Sequence, residues 1–86
     1  MAKYNIEVVR SAEKSLCKLP KADLVRVVAA IKALADNPFP HGCKKLSGEE
    51  NSYRIRVGSY RVVYEVYHNL VLIKILKIGN RKDVYR

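Results

Sequence analysis

Three arginines stand around a Gly-Ser pair in the stretch SYRIRVGSYRVVY, residues 52–64: Arg54, Arg56 and Arg61. Gly58-Ser59 suits the two-residue loop of a type II′ hairpin, because glycine accepts the positive φ of its first position. Counting back from that loop sets Val57 opposite Tyr60, Arg56 opposite Arg61, Ile55 opposite Val62 and Arg54 opposite Val63. Directly opposed residues share a face, so the arginines gather on one side. Tyr53, Ile55, Val57, Tyr60, Val62 and Tyr64 point the other way, toward a core. Opposed like charges destabilise a ladder, so loss of Arg61 is expected to leave stability unchanged or slightly raised. Either the guanidinium groups splay over a water-facing surface, or they converge on an anion such as phosphate, which arginine grips in bidentate fashion.

Other chemistry is sparse. There is no Gly-rich phosphate loop after a strand, no HExxH, no Ser/His/Asp order and no usefully spaced carboxylate pair. Cys17 and Cys43 form no metal-ligand spacing and read as free, buried thiols of a reducing compartment. His41 in a loop and His68 in a turn read as solvent-exposed residues without a catalytic task. Tyr85 stands apart from the other tyrosines. It follows the last apolar run, inside a basic tail, where a phenol can stack on a base or handle a proton.

The elements that position these residues follow from periodicity. Residues 3–9 alternate as a strand, with Tyr4, Ile6 and Val8 on one face. Ser11 is the expected N-cap of a helix to about Leu19, whose stripe is Ala12, Leu16 and Leu19. Pro20 ends that helix and opens the next. Leu24, Val27, Val28, Ile31, Leu34 and Ala35 recur at spacings of three and four, and Asn37-Pro38 terminates the run. Residues 39–51 read as a loop containing Lys44 and Lys45. The hairpin follows, its second strand running to about Tyr67; a turn at His68-Asn69 leads to a last strand over 70–78. The order β-α-α-β-β-β predicts a small α+β domain, an antiparallel sheet with both helices on one face. The arginines are left on the other.

Eighty-six residues, 49% of them apolar and 29% charged, are expected to form one globular domain over 1–86. Lys and Arg outnumber Asp and Glu by 17 to 8, and residues 52–86 carry eight basic against two acidic groups. That imbalance asks for a polyanionic partner, a nucleic acid or an acidic protein. No apolar run is long enough for a bilayer and no basic amphipathic helix is visible, so no membrane partner is expected. Residues 1–10 lack the apolar core of a secretory leader, and the expected compartment is the cytoplasm.

Taken together, YRIRVGSYRVVYEV, the following apolar strand, KKLSG at 44–48 and the closing IGNRKDVYR resemble the RelE/ParE superfamily of toxins, RelE-like branch, over nearly the whole chain. The resemblance implies a RelE-like fold related to small microbial ribonucleases, a prokaryotic cytoplasmic setting and the toxin role in a type II toxin–antitoxin system. For the RelE branch it implies a ribosome-dependent endoribonuclease that cleaves mRNA in the A site and inhibits translation. The implied reaction needs no metal or other cofactor: the ribose 2′-hydroxyl attacks the adjacent phosphorus, leaving a cyclic phosphate and a 5′-hydroxyl.

Carried over position by position, the resemblance makes Arg61, Arg81 and Tyr85 the catalytic set. Arg54, Arg56, Lys44, Lys45 and Lys82 become substrate contacts. Arg61 and Arg81 would neutralise the phosphoryl oxygens, and Tyr85 would stack on a base, handle a proton, or both. Relatives often carry lysine at the positions of Arg54 and Arg56. Arginine stays protonated, so here these two clamp phosphate and rRNA, and the base falls to Tyr85, Lys45 or the ribosome. The implied partners are the ribosome, mRNA and an acidic, RelB-like antitoxin, with DNA touched only through the toxin–antitoxin complex. Relatives also often continue into a C-terminal helix; here direct covering of the basic face is the expected route of neutralisation. Two alternatives stand beside the nuclease: a ParE-like inhibitor of DNA gyrase on the same fold, and a non-catalytic RNA- or antitoxin-binding module.

Overall fold

The Ser52–Val57 strand and the Tyr60–Tyr67 strand form the hairpin that the sequence predicts, register included. The structure, a computed structural model, describes residues 3–48 and 50–80. In chain order the elements are β1 (Asn5–Val8), α1 (Arg10–Cys17), α2 (Lys21–Leu34), β2 (Lys44–Lys45), β3 (Ser52–Val57), β4 (Tyr60–Tyr67) and β5 (Leu72–Asn80), with one 3₁₀ turn (His68–Leu70) before β5. They build one five-stranded sheet in the order β1-β5-β4-β3-β2. The α+β class stands, with two details added. β1 runs parallel to β5, because the two helices return the chain to the same end before the hairpin begins. The stretch read as loop contains β2, in which Lys44 pairs with Arg54 and Lys45 with Tyr53.

A single core fills the space between the helices and one sheet face. Ala12 of α1 and Val27, Ile31 and Leu34 of α2 meet Ile55, Val62, Tyr64, Val66, Ile73, Ile75 and Ile78. The helical spacing of α2 therefore buries the stripe it predicts, while Val25 on its outer side stays exposed. Tyr64 is fully buried in this core and donates its hydroxyl to the carbonyl of Pro38 at 2.7 Å, tying the loop after α2 to the central strand.

Three local expectations need correction. The first turn of α1 begins one residue before Ser11: Val9 is the cap, without a side-chain bond, and the Glu13 amide donates to the Val9 carbonyl at 2.9 Å. The chain leaves β1 through the bond from the Val9 amide to Ile75, so the helix starts where that strand ends. The His68-Asn69 turn is a full 3₁₀ turn that closes with Val71 at φ 50°, a left-handed conformation that costs a β-branched residue about 1–2 kcal/mol. The cysteines are free, as expected, but not buried: Cys17 is exposed and Cys43 half-buried.

At the hairpin tip Gly58 has φ +62°, and Ser59 is not among the residues with positive φ, which fits the type II′ loop. A Cβ on Gly58 would strike the Arg26 guanidinium of α2. The next residue but one, Tyr60, donates its hydroxyl to Asp23 of α2 at 3.1 Å. The Tyr60–Asp23 bond ties the tip to the helix. Gly58→Ala is expected to cost about 1–2 kcal/mol from backbone strain. For a domain of this size each kcal/mol lowers Tm by roughly 4–8 °C, readable by thermal unfolding. An unchanged Tm would mean that the tip relaxes freely.

Candidate functional site

The face of the sheet turned away from the core is organised by β4, which presents Arg61, Val63 and Glu65 in succession. Cross-strand partners flank each of them. Arg61 lies between Arg56 of β3 and Gly79 of β5. Val63 lies between Arg54 and Lys77, and beyond Arg54 the row continues to Lys44 of β2. Glu65 lies between Ser52 and Lys74, and beyond Lys74 comes Glu7 of β1. The face is thus divided by charge. Two rows toward the hairpin tip hold Lys44, Arg54, Arg56, Arg61 and Lys77 with no carboxylate among them; the third alternates in sign.

The arginines are graded in depth. Arg56 is exposed, Arg54 half-buried, and Arg61 only 7% exposed on the central strand. This alters the stability expected for loss of Arg61. Relief of crowding with Arg56 is a cross-strand effect of a few tenths of a kcal/mol, whereas removing a buried side chain costs more. Arg61 is therefore structural as well as a candidate anion ligand.

A groove of about 470 Å³ opens along the outer edge of β3, where β2 is too short to cover Arg56. Its lining includes Ala30 and Ala33 of α2, Pro40, His41, Lys44, Arg54 and Arg56. His41 is exposed, as expected, yet it shares this groove with three cations. Lys45 goes elsewhere: it opposes Tyr53 and therefore lies on the opposite parity from Lys44 and the arginines. Arg81, Lys82 and Tyr85 lie outside the described residues.

Among the described tyrosines, three hydroxyls are pushed away from ionisation. Burial and then the neighbouring Cys43 raise Tyr64; burial and then the bond to Asp23 raise Tyr60. The bond that Tyr67 donates to Glu65 at 2.6 Å, together with burial, raises Tyr67. None of these phenols is adapted to accept a proton at neutral pH. Among the described residues, no group of three or more His, Cys, Asp or Glu side chains is placed to hold a metal ion, and no helix is long and apolar enough to cross a membrane.

Sequence reasoning missed Lys77 and the relation of His41 to the arginines. Strict alternation from Ile73 and Ile75 puts Lys77 on the core side. A register shift in the β4–β5 pairing sets Tyr64 opposite Ile75 but Val63 opposite Lys77, leaving Leu76 as an extra residue. That β-bulge turns Lys77 to the arginine face and Ile78 into the core. The isoleucine spacing at 73, 75 and 78 is the sequence signal that could have revealed it.

Comparison with known proteins places this geometry in a family. Residues 6–85 match the model of the ParE toxin of the parDE type II toxin–antitoxin system. The chain is 34% identical over 87 residues to the RelE1 protein of Methanocaldococcus jannaschii, covering 98% of this chain and 97% of that one. It is 32% identical over 85 residues to the toxin RelG of Mycobacterium tuberculosis, covering 96% and 97% of the two chains. Its fold matches a chain of the archaeal RelE–RelB complex from Pyrococcus horikoshii with a TM-score of 0.83 at 33% identity, over 95% of this chain and 99% of that chain. A family match over residues 6–85, relatives above 30% identity over nearly the whole chain and a shared fold show that the chain belongs to the RelE/ParE superfamily of toxins of type II toxin–antitoxin systems.

Proposed function

We propose that this toxin is a ribosome-dependent endoribonuclease that cleaves mRNA in the A site and so stops translation in the cytoplasm. The observation that supports the reading is the pair of rows on the sheet face away from the core that hold cations and, among the described residues, no carboxylate, with Arg56 directly opposite Arg61. In-line attack of a 2′-hydroxyl on phosphorus builds negative charge on the phosphoryl oxygens, and fixed guanidinium groups stabilise it where it develops. In this reading Arg61 and Arg81 serve the phosphoryl group, Arg54, Arg56, Lys44 and Lys82 hold the backbone, and Tyr85 handles a proton. Arg54 and Arg56 hold charge without exchanging protons.

Primer extension on translated mRNA after brief expression tests the reading. Discrete new 5′ ends inside codons are expected, and none should appear on naked RNA. The match to a ParE family model favours a second reading, a gyrase-directed toxin. Loss of supercoiling activity with intact mRNA would select it.

The partner is proposed to be an acidic antitoxin that covers the basic face, since a solved relative is a RelE–RelB complex. Affinity between such oppositely charged surfaces is expected to fall about tenfold or more from low to high salt, mainly through slower association. Titration calorimetry or surface binding at graded ionic strength reads this. Affinity that ignores salt would point to an apolar interface instead.

A further inference from the structure

We infer that Lys77 and Arg54, facing each other across Val63, form a second phosphate seat, which holds the RNA phosphate next to the one at Arg61. The inference rests on the reading of this face as the RNA site and adds its direction and extent.

Side chains on one face of a strand repeat every two residues, roughly 6.8 Å along β4. One nucleotide of an extended single strand spans a comparable interval, so Arg61 and Val63 lie in step with successive phosphates. Each position has flanking cations from a neighbouring strand: Arg56 beside Arg61, and Arg54 with Lys77 on the two sides of Val63. Val63 is short and 7% exposed, an apolar floor over which two long cationic side chains can close on one anion. Lys77 is exposed and reaches this face only because of the bulge at Leu76. One row further on, Glu65 occupies the floor, and its carboxylate already accepts the Tyr67 hydroxyl. A third phosphate there would meet like charge. The track therefore runs from the hairpin tip along β4, holds two phosphates, and ends at Glu65.

The test uses the full-length toxin and uncleavable 2′-deoxy oligonucleotides carrying one, two or three phosphates, with binding measured at graded salt. Wild-type protein is expected to gain affinity from one phosphate to two and little from two to three. Lys77→Ala should remove the first gain and lower the salt slope by about 0.7, the contribution of one phosphate contact on a single strand. Lys77→Arg should restore both. On ribosomes Lys77→Ala should raise the toxin concentration needed for half-maximal cleavage about fivefold and leave the saturating single-turnover rate unchanged, as for a contact worth about 1 kcal/mol. A Lys77→Ala protein with the wild-type length dependence and slope, while Arg61→Ala loses binding, would overturn the second seat and leave the first. If neither variant changes binding, the sheet face is not an RNA site at all, and the underlying reading falls with it.

Discussion

Replacing Arg61 with alanine is expected to slow ribosome-dependent cleavage by roughly 10²–10³-fold, the usual effect of deleting one donor aimed at developing charge. Arg61 is the most buried of the described cations on this face. It sits on the central strand, 7% exposed, opposite Arg56, one residue after Tyr60. Tyr60 is tied to Asp23 of α2, so the backbone beneath the guanidinium is anchored from the helix side. The same burial makes Arg61→Ala costly to the fold, by about 1–3 kcal/mol, so the assay belongs well below the lowered Tm. Arg61→Lys separates the roles. It keeps the stem and the charge but loses the planar fork that grips two phosphoryl oxygens, and is expected to restore most of the stability and little of the rate. Near-normal single-turnover cleavage by a folded Arg61→Ala protein would show that Arg61 is structural only.

Tyr85→Phe is expected to reduce cleavage by roughly 10²–10⁴-fold, the size of a general acid–base contribution, without changing the melting temperature. Arg54 and Arg56 cannot give up a proton, and the hydroxyls of Tyr60, Tyr64 and Tyr67 are pushed further from ionisation by burial or by acidic partners. Tyr85 stands in the tail among Arg81, Lys82, Asp83 and Arg86, and a free phenol titrates near 10, so its cationic neighbours would have to favour the phenolate for it to act as a base at neutral pH. The sign follows. If the phenolate is the active form, the rate should rise with pH, and Tyr85→Phe should flatten the profile. A Phe variant that keeps most activity would reduce Tyr85 to a stacking platform. Proton acceptance would then have to be sought in Lys44, Lys45, the ribosome, or His41 in the groove beside Arg56.

The amino-acid sequence by itself determined the hairpin and the division of its faces. Period-two alternation and a two-residue glycine turn leave one register, and every pair from Arg54–Val63 to Val57–Tyr60 follows from it. It also determined the buried stripe of α2 through Val27, Ile31 and Leu34, since a 3.6-residue period repeats clearly over fourteen residues. Non-local features were decided by the tertiary structure. The parallel pairing of β1 with β5 depends on where two helices deliver the chain, and β2 is two residues long, below any periodic signal. Burial of Arg61 comes from its place on the central strand, which a local hairpin does not reveal. The bulge at Leu76 depends on packing Ile75 and Ile78 into the same core, and it alone turns Lys77 toward the arginines. Strand pairing fixes neighbours two residues at a time, whereas one inserted residue reverses every side chain after it. Only the competition for core space says where that insertion falls.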